Sequence, residues 1–319
     1  MQTLPNHPIE IRRYASELKA EWNNFIANSK NGTFLFDRNY MDYHADRFHD
    51  MSLMFYLKNR LYALLPANVS GSTLFSHQGL TYGGLIMNSD ATISDIMDLF
   101  HKMNEHLRIN GIKHVLYKPT PYIYHSIPAE EDLYAITEVC HAKLTTREIS
   151  STIMMDNKPK FKELRRRCVK KAKSNGLSVT ESNDIGQFWD ILDKNLMKRH
   201  GVHPVHTKEE LQLLKSRFPE RIKLYAAMKG EAMLGGVILY VTRQTVHTQY
   251  ISANEEGRKV GALDLVFDYL INGIPTGHKY FDFGKSTEEN GHLLNESLIH
   301  QKEGFGGRGV CYDYYEWDL

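Results

Sequence analysis

The sequence predicts an α/β chain made of two domains of one fold in tandem, each a mixed sheet flanked by helices. Three observations predict this. The same order of helices and strands is written twice, roughly 170 residues apart, a period too long for a solenoid. Each copy places a Gly-x-Lys step before a short apolar strand, Gly111-Ile112-Lys113 in the first and Gly277-His278-Lys279 in the second. At 319 residues, 42% hydrophobic and 24% charged, the chain has enough material for two ordinary soluble domains. The expected domains are residues 1–155 and 156–319.

Apolar spacing predicts helices over Ser16–Ala27 and Asp37–Phe48. Strands Ser52–Leu57 and Leu61–Ala67 follow, joined by the tight Lys58-Asn59-Arg60 turn. A long helix, Thr92–Asn110, stops at Gly111, a good C-cap. Strand Lys113–Tyr117, helix Ala129–Val139 and strand Thr145–Met155 close the first copy. A basic helix (Asn157–Ser174) and strand Leu177–Glu181 lead into the second. There, helices Ile185–Arg199 and Thr207–Phe218 precede strands Ile222–Met228, Met233–Val241 and Thr245–Ser252. Thr207 and Glu210 have capping-box spacing. Helix Val260–Asn272, strand Lys279–Phe283, helix Leu293–Glu303 and strand Val310–Trp317 complete the order. No Pro/Gly/Ser-rich linker separates the copies, which predicts close packing between them.

With 39 basic and 38 acidic residues the chain has no global field to draw it to DNA or to an anionic membrane. Three scattered cysteines, Cys140, Cys168 and Cys311, form no metal-binding or disulfide pattern. A reducing cytoplasm is the expected location. MQTLPNHPIEIRRY has no apolar core of a signal peptide, and no apolar run approaches a membrane span.

Six segments carry candidate chemistry. Lys279–Gly284 is an apolar strand ending in Asp282, and strand ends at a sheet rim are where ligands sit. Tyr250–Asp268 is a strand, a turn and a helix. Its Gly257-Arg258-Lys259-Val260-Gly261 suits a diphosphate at a helix start, or is an ordinary turn with two solvated bases. Gly304–Gly309 matches GxGxxG, but it follows a helix and precedes the last strand, so it reads as turn glycines. In Arg199–His206 three histidines lack a carboxylate or cysteine to complete a metal shell, so no metal is expected; a base, a substrate contact or a solvated loop remain open. Lys158–Lys173 holds nine bases and one acid, with Phe161, Leu164, Cys168 and Ala172 as its apolar stripe. It is a charged surface face or a footprint for a polyanion. In the first copy, His77–Gly84 is a glycine-rich turn or the wall of a cleft.

The segments HQGLTYGG, RHGVHPVHTKEEL, QYISANEEGRKVGALDLV and KYFDFGKSTEENGHLLNESLIHQKEGFGG together resemble the FemAB-like branch of the GNAT acyltransferases. The likeness spans nearly the whole chain. It implies two GNAT-like domains and transfer of an acyl group to an amine, with the donor held where two parallel strands splay. Those strands would be Thr245–Ser252 and Lys279–Phe283. The family's donor signature falls on Arg258, Gly261 and Leu263, with Lys259 beside it. Leu263 departs from the pattern, which in Fem-type relatives accompanies an aminoacyl-tRNA donor. Lys302 resembles the residue proposed in the family to stabilise developing negative charge.

Amine attack on a thioester or ester needs a neutral amine and an oxyanion stabiliser. Lys302 and backbone N–H groups are expected to supply the second. Asp282, Tyr250 or His206 is expected to take the proton, with Asp282 first. Arg199, His200, Thr81 and Tyr82 are the expected substrate contacts, with Gly79–Gly84 closing the cleft. Acyl-CoA or another carrier is the expected co-substrate, with no tightly bound cofactor. The acceptor is expected to be an amino sugar, a peptidoglycan precursor or an amino acid, as in cell-wall or glycan biosynthesis. Two alternatives stay open: an aminoacyl-tRNA-dependent transferase touching tRNA through Lys158–Lys173, and a non-catalytic binding module.

Overall fold

The structure is a computed structural model that describes residues 9–274 and 277–319. The start of the N-terminal segment lies outside these residues. The chain divides into two units. Met1–Glu148, Glu289–His292 and Cys311–Leu319 form the first; Ile149–Glu288 and Leu293–Val310 form the second. The break therefore precedes the expected 155/156 boundary, and the chain's last residues join the first unit. They do so because Tyr315–Asp318 ladder antiparallel onto Tyr117–His114.

In the first unit an antiparallel sheet runs in the order Ile9–Arg13, Leu53–Leu57, Arg60–Leu65, Ile86–Met87. Lys58 and Asn59, at φ 52° and 60°, make the two-residue turn of its hairpin. Strand Thr73–Phe75 lies parallel to His114–Tyr117. Helix Ile93–Ile109 starts at Thr92, whose side chain accepts from the Asp95 N–H, and buries Ile96, Leu99, Phe100, Met103 and Leu107 at helical spacing.

The helix expected over Asp37–Phe48 does not form. Short 3-10 turns, Phe34–Phe36 and Asp42–His44, flank one helical turn at Arg38–Met41. Leu35, Phe36, Arg38, Tyr40, Met41 and His44 are all buried, and Arg38 lies over the rings of Tyr14 and Trp22. Buried Arg38, Tyr40, Met41 and His44 are interleaved with exposed Asn39 and Asp42, and Arg38 is held by the two rings rather than by a helical face.

In the second unit the sheet runs in the order Ser178–Ser182, Ile222–Lys229, Ala232–Val241, Thr245–Ala253, Tyr280–Lys285 and then the part of Lys143–Met154 that follows Glu148. Its neighbours are antiparallel except for Thr245–Ala253 against Tyr280–Lys285, which is parallel. Phe161, Val169, Ala172, Leu265, Val266 and Phe305 pack with Val246, Phe281 and Phe283 in one core. The stripe of the basic helix (Glu163–Ser174) thus uses Val169, while Leu164 is 48% exposed. Thr207 and Glu210 do form a capping box.

The helix expected over Val260–Asn272 is three pieces: Glu255–Val260, Ala262–Asp268 and a π-helical turn, Tyr269–Gly273. Gly261, at φ 83°, breaks it. A Cβ there would lie 2.7 Å from the Cys168 carbonyl oxygen, so the break also lets two backbones approach. The helix expected from Leu293 begins at Glu296 under an Asn295 cap.

Candidate functional site

The parallel pair of the second unit is the frame of the site. Its register runs Thr245↔Tyr280, Val246↔Phe281, His247↔Asp282 and then stops. From Thr248 to Ala253 the first strand is paired only on its other edge, against Ala232–Val241. The splay expected between these strands is therefore present and begins one pair beyond Phe281.

The last pair before the gap carries ionisable chemistry. Asp282 is fully buried. Its Oδ1 accepts from Ser150 Oγ at 2.5 Å and Thr152 Oγ1 at 2.7 Å, two residues that share a face of the neighbouring strand. Its Oδ2 lies 2.7 Å from His247 Nδ1. Burial opposes ionisation of Asp282, but the bond from His247 and the two hydroxyl donors together hold its carboxyl below the usual range. An ionised partner at Oδ2 favours a proton on Nδ1, the tautomer whose lone pair is on Nε2.

Asp282 thus departs from its expected role. Encased and bonded to three donors, it cannot take a proton from an amine directly, and its place is behind His247, which the sequence reading did not select. The signal lay in the strand register, since His247 and Asp282 are 35 residues apart.

Lys302 departs as well. Its Nζ donates to the Gly284 carbonyl (2.8 Å), the Lys285 carbonyl (2.8 Å) and Ser286 Oγ (2.9 Å). An ammonium has three N–H donors, and all are committed. The acceptors arise from a bulge between Asp282 and Lys285, where Gly284 sits at φ 75°. Burial lowers the Lys302 pKa to about 8, with the Asp282 charge acting the other way. Lys302 pins the bulged backbone beside the dyad.

Beyond the divergence, a second bulge leaves Gln249 unpaired between Leu239↔Thr248 and Ile238↔Tyr250. Val246 and Ile251 pack toward the core, so the bulge turns His247 and Tyr250 to the same opposite face. Tyr250 Oη lies 2.6 Å from His206 Nδ1, and its ring packs on Trp189 at 5.6 Å. Burial pushes the Tyr250 hydroxyl up to about 12, so it stays protonated at neutral pH. A cavity of about 430 Å³ beside them is lined by Trp189, Asp190, Asp193, His203, His206 and Glu209 among others.

Arg258 donates to the Ala253 carbonyl at 2.6 Å and to Asn195 Oδ1 at 3.0 Å, tying down the end of the open strand. With Gly257, Gly261, Arg165, Cys168 and His300 it lines a second cavity of about 360 Å³. Lys259 is exposed and pairs with Glu255. Arg199 is exposed in the last turn of its helix, and the side chain of His200 lies outside the described residues. Thr81 and Tyr82 belong to the first unit. Tyr82 is buried there, with its hydroxyl donating to Thr33 Oγ1 at 3.2 Å and its ring on Tyr124, which makes it a core residue. The GxGxxG glycines form a turn, with Gly306 at φ 103°. No cluster able to hold a metal occurs among the described residues, and no helix there is long and apolar enough to cross a membrane.

Residues 159–290 match the model of a family described as an acetyltransferase (GNAT) domain. Among solved structures the chain is similar to FemX, with TM-score 0.69, 10% identity and 97% of each chain covered. It is similar to L-PGS from Bacillus licheniformis, with TM-score 0.62, 13% identity and coverage of 96% of this chain and 92% of that one. It is also similar to a tandem GNAT protein from the clavulanic acid biosynthesis pathway, with TM-score 0.50, 10% identity and 98% of each covered. No curated protein matches.

Proposed function

From a chain that carries a GNAT domain in its second half and has the tandem fold of the FemAB-like branch, we propose N-acyl transfer from a carrier-bound donor to an amine. One observation carries this reading: the parallel pair opens directly after the buried His247–Asp282 pair. An acyl group lying in the gap would have His247 Nε2 as the base for the attacking amine, while Asp282 fixes the tautomer and stabilises the imidazolium. Backbone N–H groups of the unpaired edge after His247 would receive the oxyanion. Tyr250, protonated at neutral pH, suits the acid that restores a proton to the leaving group. The cavity beside Arg258 and Gly261 would hold the carrier. The pocket of Trp189, Asp190, Asp193 and Glu209 would hold the acceptor, its carboxylates favouring an ammonium-bearing molecule.

The test is calorimetric titration of the purified protein with CoA and acetyl-CoA, followed by product analysis by mass spectrometry over a panel of amino sugars and amino acids. Donor binding that Arg258→Ala weakens and turnover that His247→Gln abolishes would support the reading. Turnover unchanged in His247→Gln would sink it.

A second reading rests on the basic helix. Lys160, Lys162, Arg167, Lys170 and Lys171 are exposed and make no ion pair among the described residues. A polyanionic donor such as aminoacyl-tRNA would use that face. Binding of tRNA that falls steeply with salt and is lost when those bases are neutralised distinguishes it from the CoA reading.

A further inference from the structure

The second unit holds another cavity, away from the residues used above. It measures about 350 Å³ and lies at the start of the parallel strands, opposite the end where they diverge. Leu239, Val241, Val246, Leu270, Ile274 and Phe281 give it an apolar interior. Leu270 comes from the π-helical turn Tyr269–Gly273. Such turns are rare and are frequent at functional sites.

The mouth is polar and is lined by Glu220, Arg221 and Lys223. Lys223 Nζ is shared between Glu220 at 3.4 Å and Glu181 at 3.7 Å. Arg221 is exposed beside them with no ion-pair partner among the described residues. An apolar chamber under an exposed guanidinium that makes no ion pair among the described residues matches a molecule with an apolar body and one carboxylate.

We propose that this cavity is a binding site for a small amphipathic monocarboxylate, such as a medium-chain fatty acid, with the chain inside and the carboxylate on Arg221. Val246 and Phe281 line the cavity and pair with each other one step before His247 and Asp282 on the same two strands. A ligand packed against them bears on the backbone that carries the dyad, so occupancy alters the geometry of the His247–Asp282 bond. This coupling rests on the catalytic reading of the dyad; the binding does not.

The test is calorimetric titration of the full chain with octanoate and with octan-1-ol, in wild type, Arg221→Glu and Val241→Trp. Saturable one-to-one binding of octanoate is expected, at least tenfold weaker for Arg221→Glu and for octan-1-ol. Binding is expected to vanish in Val241→Trp, which fills the chamber. No saturable binding to wild type, equal affinity for the alcohol, or unchanged binding in a folded Val241→Trp overturns the site. Octanoate is also expected to shift the His247 Nδ1–H resonance in nitrogen-15 NMR, identified by its loss in His247→Gln. Binding without that shift overturns the coupling alone. Binding with the shift, in a protein whose turnover survives His247→Gln, overturns the catalytic reading and leaves the site standing.

Discussion

Both units contain a short parallel pair, and the two pairs end differently. In the second unit the ladder stops at His247↔Asp282 and the edge beyond is open. In the first the ladder runs Thr73↔His114 to Phe75↔Leu116, and the chain then fills its own gap. Ser76 N donates to the Leu116 carbonyl and Ser76 Oγ accepts from Lys118 N. Gly83 N donates to the Lys118 carbonyl at 2.7 Å, and Thr120 Oγ1 donates to the Gly83 carbonyl at 2.8 Å. Gly83 is required for this: a Cβ there would lie 1.6 Å from the Ser76 carbonyl oxygen. One fold thus provides a slot in one copy and plugs it in the other. A shared fold does not give both copies a shared site.

The comparison breaks most decisively at the dyad. His247→Gln is expected to lower kcat by ~10²–10⁴, the usual contribution of a positioned base. An unchanged kcat would mean the open pair is no more catalytic than the filled one. Next is Lys302→Met, which strands the carbonyls of Gly284 and Lys285. Thermal or urea denaturation should show a loss of about 1–3 kcal/mol together with slower turnover. Slower turnover at full stability would return Lys302 to the oxyanion role expected from the family resemblance.

In the first unit, Lys118→Met removes the donor to the Leu80 carbonyl, a bond of 2.7 Å. It should cost about 1 kcal/mol of stability and leave kcat alone. A changed kcat would give the plugged pair a part in catalysis. The smallest effect expected is on acid stability. Because the folded state holds Asp282 below its ordinary pKa, the stabilisation is complete above the unfolded value and is lost as pH falls through the folded one. Thr152→Val removes one donor and should move the acid-unfolding midpoint slightly upward. A midpoint that does not move would show that His247 and Ser150 alone hold the carboxylate.

Much of the frame was legible in the sequence because it depends on local pattern. The duplicated order, the Thr207–Glu210 capping box and the turn role of the last glycines follow from spacing and from residues that tolerate special backbone, while the strands that splay came from the family resemblance. What was not legible depends on register and on backbone carbonyls. His247 reads as an ordinary strand residue until it is placed opposite Asp282. Lys302 reads as a free cation until a bulge turns two carbonyls toward it. Gly261 sits inside a convincing helical run, and only the nearness of Cys168 explains why that run breaks there. The Asp37–Phe48 segment misled for a related reason: its apolar spacing is helical, but buried Arg38 and His44 are held by tertiary contacts that spacing does not show.

The last strand has a consequence for the order in which this protein can form. Trp317 fills the core of the first unit, its ring 5.9 Å from Tyr117 and 6.4 Å from Phe100, with Nε1 donating to Asn104 at 3.3 Å. On the ribosome, domains usually fold from the N-terminus as they emerge. Here the first unit needs Cys311–Leu319, which follow every residue of the second, so the second unit can finish while the first still has an open edge and an empty core position. A chain truncated after Val310 should therefore present a protease-resistant second half and a sensitive first half.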